Sequence, residues 1–186
     1  VWVTTKLAGA STFFMPFNKN NHSGQDLEGN EKLEENNGLK TEFFYKDILA
    51  YDSILDIVEN YVVYNKSKNA IYFPRYHQLD GVRKAINDVV QSGVGNSYLF
   101  EHSAGSGKSN TISWLVAQLY SLHNDTKAIF DKIILVTDRK ILDQQIRENM
   151  KFIFQEKNAL KHIDRSTQLA KEINSPTRSI IITTIQ

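Results

Sequence analysis

The apolar positions along the chain change period several times, and each change predicts an element. Residues 1–45 hold no sustained period. The aromatic run "STFFMPF" gives way there to an Asn-, Gly- and Glu-rich stretch, and the segment reads as a mostly irregular arm. From Lys46 to Tyr64, the residues Ile48, Tyr51, Leu55, Val58 and Val62 recur at helical spacing. "NKSKN" breaks that pattern, and "AIYF" before Pro74 predicts a short strand. Tyr76, Leu79, Val82, Ile86 and Val89 then mark a second amphipathic helix, ending near "QSGVGN".

Beyond this point strand-like and helix-like segments alternate. "SYLF" (97–100), "KIILV" (132–136) and "SIIIT" (179–183) are short apolar runs of the strand type. Between them, 109–123 carries Ile112, Leu115, Val116, Leu119 and Leu122 on one side, 139–151 carries Leu142, Ile146 and Met150, and a shorter helix is expected at 166–173. Nearly continuous apolar strands suit a parallel sheet covered on both faces. The expected class is therefore α/β, a parallel sheet with helices on both faces preceded by the irregular arm.

Composition narrows this picture. A chain of 186 residues with 41% hydrophobic residues suits one domain, or one domain and part of another. The absence of Cys excludes a disulfide framework and thiolate metal sites, and fits a reducing, cytoplasmic compartment. No apolar run approaches the roughly 18 residues that span a bilayer, and "VWVTTKLAGAST" does not read as a signal peptide. With no initiator Met and a strand-like end, "SIIITTIQ", the sequence reads as a piece of a longer protein. The net charge of +1 conceals an asymmetry: residues 1–70 hold seven basic and ten acidic side chains, residues 127–186 eleven and seven. A basic last third could meet phosphate, and solvated helix faces account for it equally well.

The sharpest chemistry lies in "HSAGSGKS", residues 102–109, between an apolar strand pattern and an amphipathic helix. It ends in the G-K-[ST] of a P-loop. Glycines at 105 and 107 would let backbone N–H groups turn toward phosphate, and the following helix would add its N-terminal N–H groups and dipole. On this reading Ser103, Ala104, Gly105, Ser106, Gly107, Lys108, Ser109 and Asn110 contact the nucleotide. Lys108 meets the β/γ-phosphates and the Ser109 hydroxyl ligates Mg²⁺. The general pattern wants Gly at position 102, where this chain has His. A serine-glycine linker is the plain alternative. Upstream, Arg75 and Gln78 open a helix 30 residues before Lys108. A Gln amide pairs bidentately with the N6/N7 edge of adenine, and a simple helix start is the competing explanation. Downstream, Thr137, Arg139, Thr183 and Thr184 fall at the C-terminal ends of strand patterns, the ligand side of an open α/β sheet. Such groups can hold a nucleic-acid backbone, and Thr137 or Asp138 can equally cap the next helix.

Four segments carry a family resemblance: "RYHQLDGVRKAI", "LFEHSAGSGKSNTISWLVAQL", "VTDRKILDQQI" and "IIITTIQ". Their order resembles the first motor domain of superfamily 2 helicases. Together with "TTKLAGASTFFMPFN", the set is similar to the restriction (R) subunit of type I restriction-modification enzymes, whose P-loops often begin with His. The resemblance implies a P-loop, RecA-like motor that hydrolyses ATP with Mg²⁺, pumps double-stranded DNA and is coupled to a nuclease. Methyltransferase and specificity subunits would be its partners, and no membrane is involved. It also implies a division into 1–45, the end of the nuclease domain, 46–70, a linker helix, and 71–186, the first part of the motor. The nuclease residues are expected upstream, and the acidic box and arginine finger downstream. Other P-loop classes, a nucleotide kinase or AAA-type ATPase among them, and a non-catalytic nucleotide-binding module remain open. Asp138-Arg139-Lys140 and Asp125-Thr126-Lys127 spell D-x-K but lack a preceding Asp at a plausible strand turn, and a G-x-S-x-G hydrolase elbow is absent. The five His residues (22, 77, 102, 123 and 162) show no metal-ligand spacing.

Overall fold

The computed structural model describes residues 1–19, 39–66, 69–154 and 157–185. Most of the Asn-, Gly- and Glu-rich stretch read above as loop lies outside the described residues. The chain divides into two compact units, 1–81 with 101–103, and 82–100 with 104–186.

The first unit is built on aromatic packing. Strand β1 (Trp2–Val3) pairs antiparallel with β2 (Met15–Pro16). The Val1 ammonium donates to Asn18 Oδ1 at 2.8 Å, so this part of the arm is more regular than its sequence suggests. Phe17, fully buried, meets the rings of Phe44, Phe73 and Tyr76 at centroid distances of 6.2, 5.9 and 5.6 Å. The contacts with Phe44 and Tyr76 are edge-to-face, and such pairs add to what burial alone contributes. Residues Phe44–Ile48 form one turn of π-helix, and helix α1 spans Tyr51–Asn60.

The helix expected over 46–64 is therefore shorter, and its phase differs. Ile57 and Tyr61 are buried, whereas Tyr51, Leu55 and Val58 are exposed. Val63–Asn65 leave the helix to form strand β3, which pairs antiparallel with β4 (Ala70–Tyr72), the strand expected from "AIYF". Adjacent β-branched residues at 62 and 63 favour the pleated form once a partner strand is available.

Helix α2 (Tyr76–Ser92) begins in the first unit and continues in the second, where Val82, Ala85 and Val89 are buried. The turn after it is tied back by Asp88. Its carboxylate accepts from Tyr98 OH at 2.5 Å and Asn96 Nδ2 at 2.8 Å, both to Oδ2, and from Ser92 Oγ at 3.2 Å to Oδ1. "SYLF" forms no strand, contrary to expectation, and Leu99 is 91% exposed. A strand needs a neighbour to complete its hydrogen bonds, and no described strand pairs with these residues.

Helix α3 spans Lys108–Ser121. A hairpin, β5 (His123–Asn124) with β6 (Lys127–Ala128), turns through Asp125 at φ +52°. Strand β7 (Lys132–Thr137), helix α4 (Lys140–Ile153), strand β8 (Leu160–Ile163), helix α5 (Ser166–Ile173) and strand β9 (Ser179–Thr184) complete the unit. The sheet has the order β7-β9-β8, with both pairings parallel. Ile180 and Ile182 face Val116, Tyr120, Ile146, Met150 and Phe154 of the main core. Ile181, on the opposite side by the two-residue period, is buried as well. The central strand is thus shielded on both sides, as its unbroken apolar run requires. Arg178 braces the start of β9: its guanidinium donates to the carbonyls of Phe130 and Tyr120 and stands 4.2 Å over the Tyr120 ring. Among the described residues no helix is long and apolar enough to cross a membrane.

Candidate nucleotide-binding site

The chain reaches α3 through a turn at Ala104–Gly105, and two left-handed glycines shape it. Gly105 has φ +74°. Gly107 has φ +84° and ψ +31° and occupies the N-cap position of α3. A Cβ built on Gly105 would meet nothing within 4 Å, so the demand for glycine there is conformational rather than steric. Gly107 O accepts from Asn110 N at 2.9 Å and Thr111 N at 3.2 Å, which starts the helix. No side chain caps that start, and no acidic residue lies in the first turn. The positive end of a helix dipole favours an anion.

The expected contact residues fall into distinct environments. Ala104, Gly105 and Lys108 are exposed, Gly107 and Ser109 are half-buried, and Ser106 is buried. Ser109 O accepts from Ser113 Oγ at 2.9 Å, one turn on. Asn110 Oδ1 accepts from Asn149 Nδ2 of α4 at 2.8 Å, so its side chain already serves the contact between the two helices. Ser103 is exposed and belongs to the first unit.

The first unit also contains the residues expected to read adenine. Gln78 is buried, and its Oε1 accepts from Arg75 N at 2.8 Å while Arg75 O accepts from Gln78 N at 3.0 Å. A residue at the third helical position reaching back to the cap N–H is one half of a capping box. The helix-start role is therefore real, and a carbonyl oxygen with two lone pairs can still accept from a purine amine. His102, the departure from the general P-loop pattern, stacks edge-on against His77 with ring centroids 4.7 Å apart. A glycine there would remove that contact.

In the three-stranded sheet, parallel register sets Thr137 opposite Thr184 and Val136 opposite Thr183. All three threonines thus collect at the C-terminal ends of β7 and β9. Thr137 and Thr183 are buried and Thr184 is half-buried. The Arg139 side chain is 79% exposed, 3.5 Å from the Asp138 carboxylate. Neither Thr137 nor Asp138 caps α4: Arg139 holds the N-cap position, without a side-chain cap bond.

One cluster had no sequence signal beyond an i,i+4 Asp–Arg pair. The Asp143 carboxylate, buried in α4, lies 3.0 Å from Arg147 Nε and 3.1 Å from His162 Nε2 of β8. His162 also approaches Asp164 at 3.3 Å.

The chain is similar to known proteins. The SWI2/SNF2 ATPase family matches residues 77–186. Over 154 residues, 82% of this chain, the sequence is 30% identical to the endonuclease subunit of the type I restriction enzyme SsaAORF53P of Staphylococcus saprophyticus. It is 29% identical over the same length to the corresponding subunits of SauCOLORF180P and SauMSSORF170P from two Staphylococcus aureus strains. The chain spans about 16% of the length of these relatives. The left-handed Gly107 cap followed by Lys108 and Ser109 falls inside the matched segment, and the chain belongs to the SWI2/SNF2 ATPase family.

Proposed function

We propose that this chain is part of an ATP-driven double-stranded DNA translocase, the motor of a type I restriction endonuclease R subunit. In it, residues 71–186 begin a RecA-like motor domain, 46–70 link to it, and 1–45 close a nuclease domain. The observation that carries the reading is the uncapped, acid-free N-terminus of α3 behind two left-handed glycines, in a segment matching an ATPase family.

The residues fit Mg-ATP. The turn at 104–107 and the first N–H groups of α3 would surround the phosphates, with the Lys108 ammonium against the β/γ positions. The Ser109 hydroxyl would be one Mg²⁺ ligand, consistent with a metal held mainly by phosphate and water. Arg75 and Gln78 would read adenine. The exposed Arg139, with Thr137, Thr183 and Thr184, would meet the DNA backbone, which carries no sequence information and suits a motor stepping along any sequence. Methyltransferase and specificity subunits would be the partners, in the cytoplasm.

The test is Lys108→Ala in the full-length subunit, assembled with its partners. Removing the lysine charge should abolish ATP-dependent DNA movement and the cleavage that depends on it, while DNA held by the specificity subunit stays bound. Restriction at the wild-type level in that variant refutes the motor assignment.

A further inference from the structure

Helices α3 and α4 meet mainly through apolar side chains, with Val116 and Tyr120 on one and Ile146 and Met150 on the other. Such a contact is non-directional and tolerates small sliding and rotation. A hydrogen bond is directional. Asn149 Nδ2 donates to Asn110 Oδ1 at 2.8 Å across this interface, between positions 39 residues apart and partly buried.

The two ends of that bond sit in different places. Asn110 is in the first turn of α3, two residues after Lys108, and its own N–H donates to Gly107 O at 2.9 Å. Asn149 is near the end of α4, whose N-cap is the exposed Arg139. Ten residues of helix, about 15 Å, separate Asn149 from Arg139. The other end of α4 is held as well, because Asp143 in its first turn contacts His162 of β8 at 3.1 Å. α4 is thus a rod joined at one end to the first turn of α3 and at the other to β8, beside its own N-cap Arg139, which follows Thr137 of β7.

We propose that Asn149 is a positioning residue through which nucleotide binding and DNA binding act on each other; this rests on the motor reading above. A ligand that shifts the first turn of α3 drags α4 through the Asn110–Asn149 bond. A duplex engaging Arg139 biases the same rod from its other end. By linkage the effect is reciprocal: DNA tightens nucleotide binding by the factor by which nucleotide tightens DNA binding.

The experiment measures the Kd of a non-hydrolysable Mg-ATP analogue for the full-length subunit, with and without saturating random-sequence duplex DNA. Asn149→Leu keeps the side-chain shape and removes the donor. Without DNA it should bind the analogue within about twofold of wild type, since Asn149 does not touch the nucleotide on this proposal. The DNA-induced tightening should fall roughly 3- to 10-fold, the worth of one hydrogen bond. Asn149→Gln, which keeps an amide donor, should retain most of the tightening, a rescue that a packing role alone would not produce. An unchanged DNA effect in Asn149→Leu overturns the proposal. So does equal weakening with and without DNA, which makes Asn149 a structural brace only, or a wild-type protein whose nucleotide affinity ignores DNA. Lys108→Ala is the separate control: unaltered analogue binding there refutes the nucleotide site itself, not the coupling.

Discussion

At the scale of single residues, Gln78 shows how one side chain can satisfy two explanations. Its Oε1 completes the start of α2 by accepting from Arg75 N, while its amide is the group proposed to read adenine. The helix start uses Oε1 alone, whereas a bidentate base contact also needs the Nε2 donor, so the two roles can be separated. Gln78→Glu keeps an oxygen for the Arg75 N–H and loses the NH₂ donor, whereas Gln78→Ala loses both. Both variants should reduce the preference for ATP over GTP in the full-length subunit, by up to the 1–3 kcal/mol that a bidentate base contact carries. Only Gln78→Ala should also destabilise the helix start, by about 1 kcal/mol in a urea titration. An unchanged ATP/GTP ratio in both would leave Gln78 a cap and nothing more. Position 102 teaches a related lesson. From sequence it is a defect in a motif, and in the structure it is a ring stacked on His77. No spacing rule could have shown that, because the partner is 25 positions away.

At the scale of elements, what could be read in advance followed periodicity backed by length. Helices α3 and α4 and strands β7 and β9 lie close to where the apolar pattern set them, because each is long enough to declare its period. The first helix failed in phase. Its sequence offers apolar residues on more than one face, and the aromatic packing around Phe17 and Phe43, not the local pattern, goes with burial of Ile57 rather than Leu55. β8 was missed because "LKHI" is half polar and becomes a strand by pairing with β9. "SYLF" shows the converse, an apolar run without a ladder. What fixes its surroundings is polar: the bonds from Tyr98 and Asn96 to Asp88.

Those bonds make the turn sensitive to pH. The hydrogen bond from Tyr98, then that from Asn96, holds the Asp88 carboxyl below its ordinary value of 3.8, and the bond to Asp88 raises the Tyr98 phenol above 10.0. For a depressed acid, the stabilisation is complete above the unfolded value and disappears as pH falls through the folded one. For the raised phenol, it is complete below the unfolded value and disappears as pH climbs through the folded one. The 93–98 turn should therefore stay docked on α2 across the neutral range and release below about pH 3.8 or above about pH 10. The Tyr98 ring resonances, followed by NMR against pH, should report both limbs. In Asp88→Asn the acid limb should vanish; a limb that persists would show that another carboxylate governs the turn.

At the scale of the whole molecule, binding and turnover make different demands on the chain. The turn before α3 needs only local parts: two left-handed glycines, a helix start and a lysine, all contiguous in sequence and all formed. Hydrolysis needs more, namely a carboxylate to hold the metal, a group to orient water and an arginine finger, the last alone worth about 10³–10⁵ in rate. No adjacent Asp-Glu pair, the core of an acidic box, occurs anywhere in the 186 residues. The sheet that would align such groups also has an open face at β7, where Ile134 and Val136 are 43% and 57% exposed. A polypeptide of residues 1–186 should therefore bind Mg-ATP weakly, lose that binding on Lys108→Ala, and turn ATP over no faster than buffer. Titration calorimetry and a phosphate-release assay on the same preparation distinguish the two demands. Turnover above background that Lys108→Ala removes would mean that the metal-holding carboxylate lies within this chain, leaving the eleven aspartates and ten glutamates of the sequence as the place to look for it.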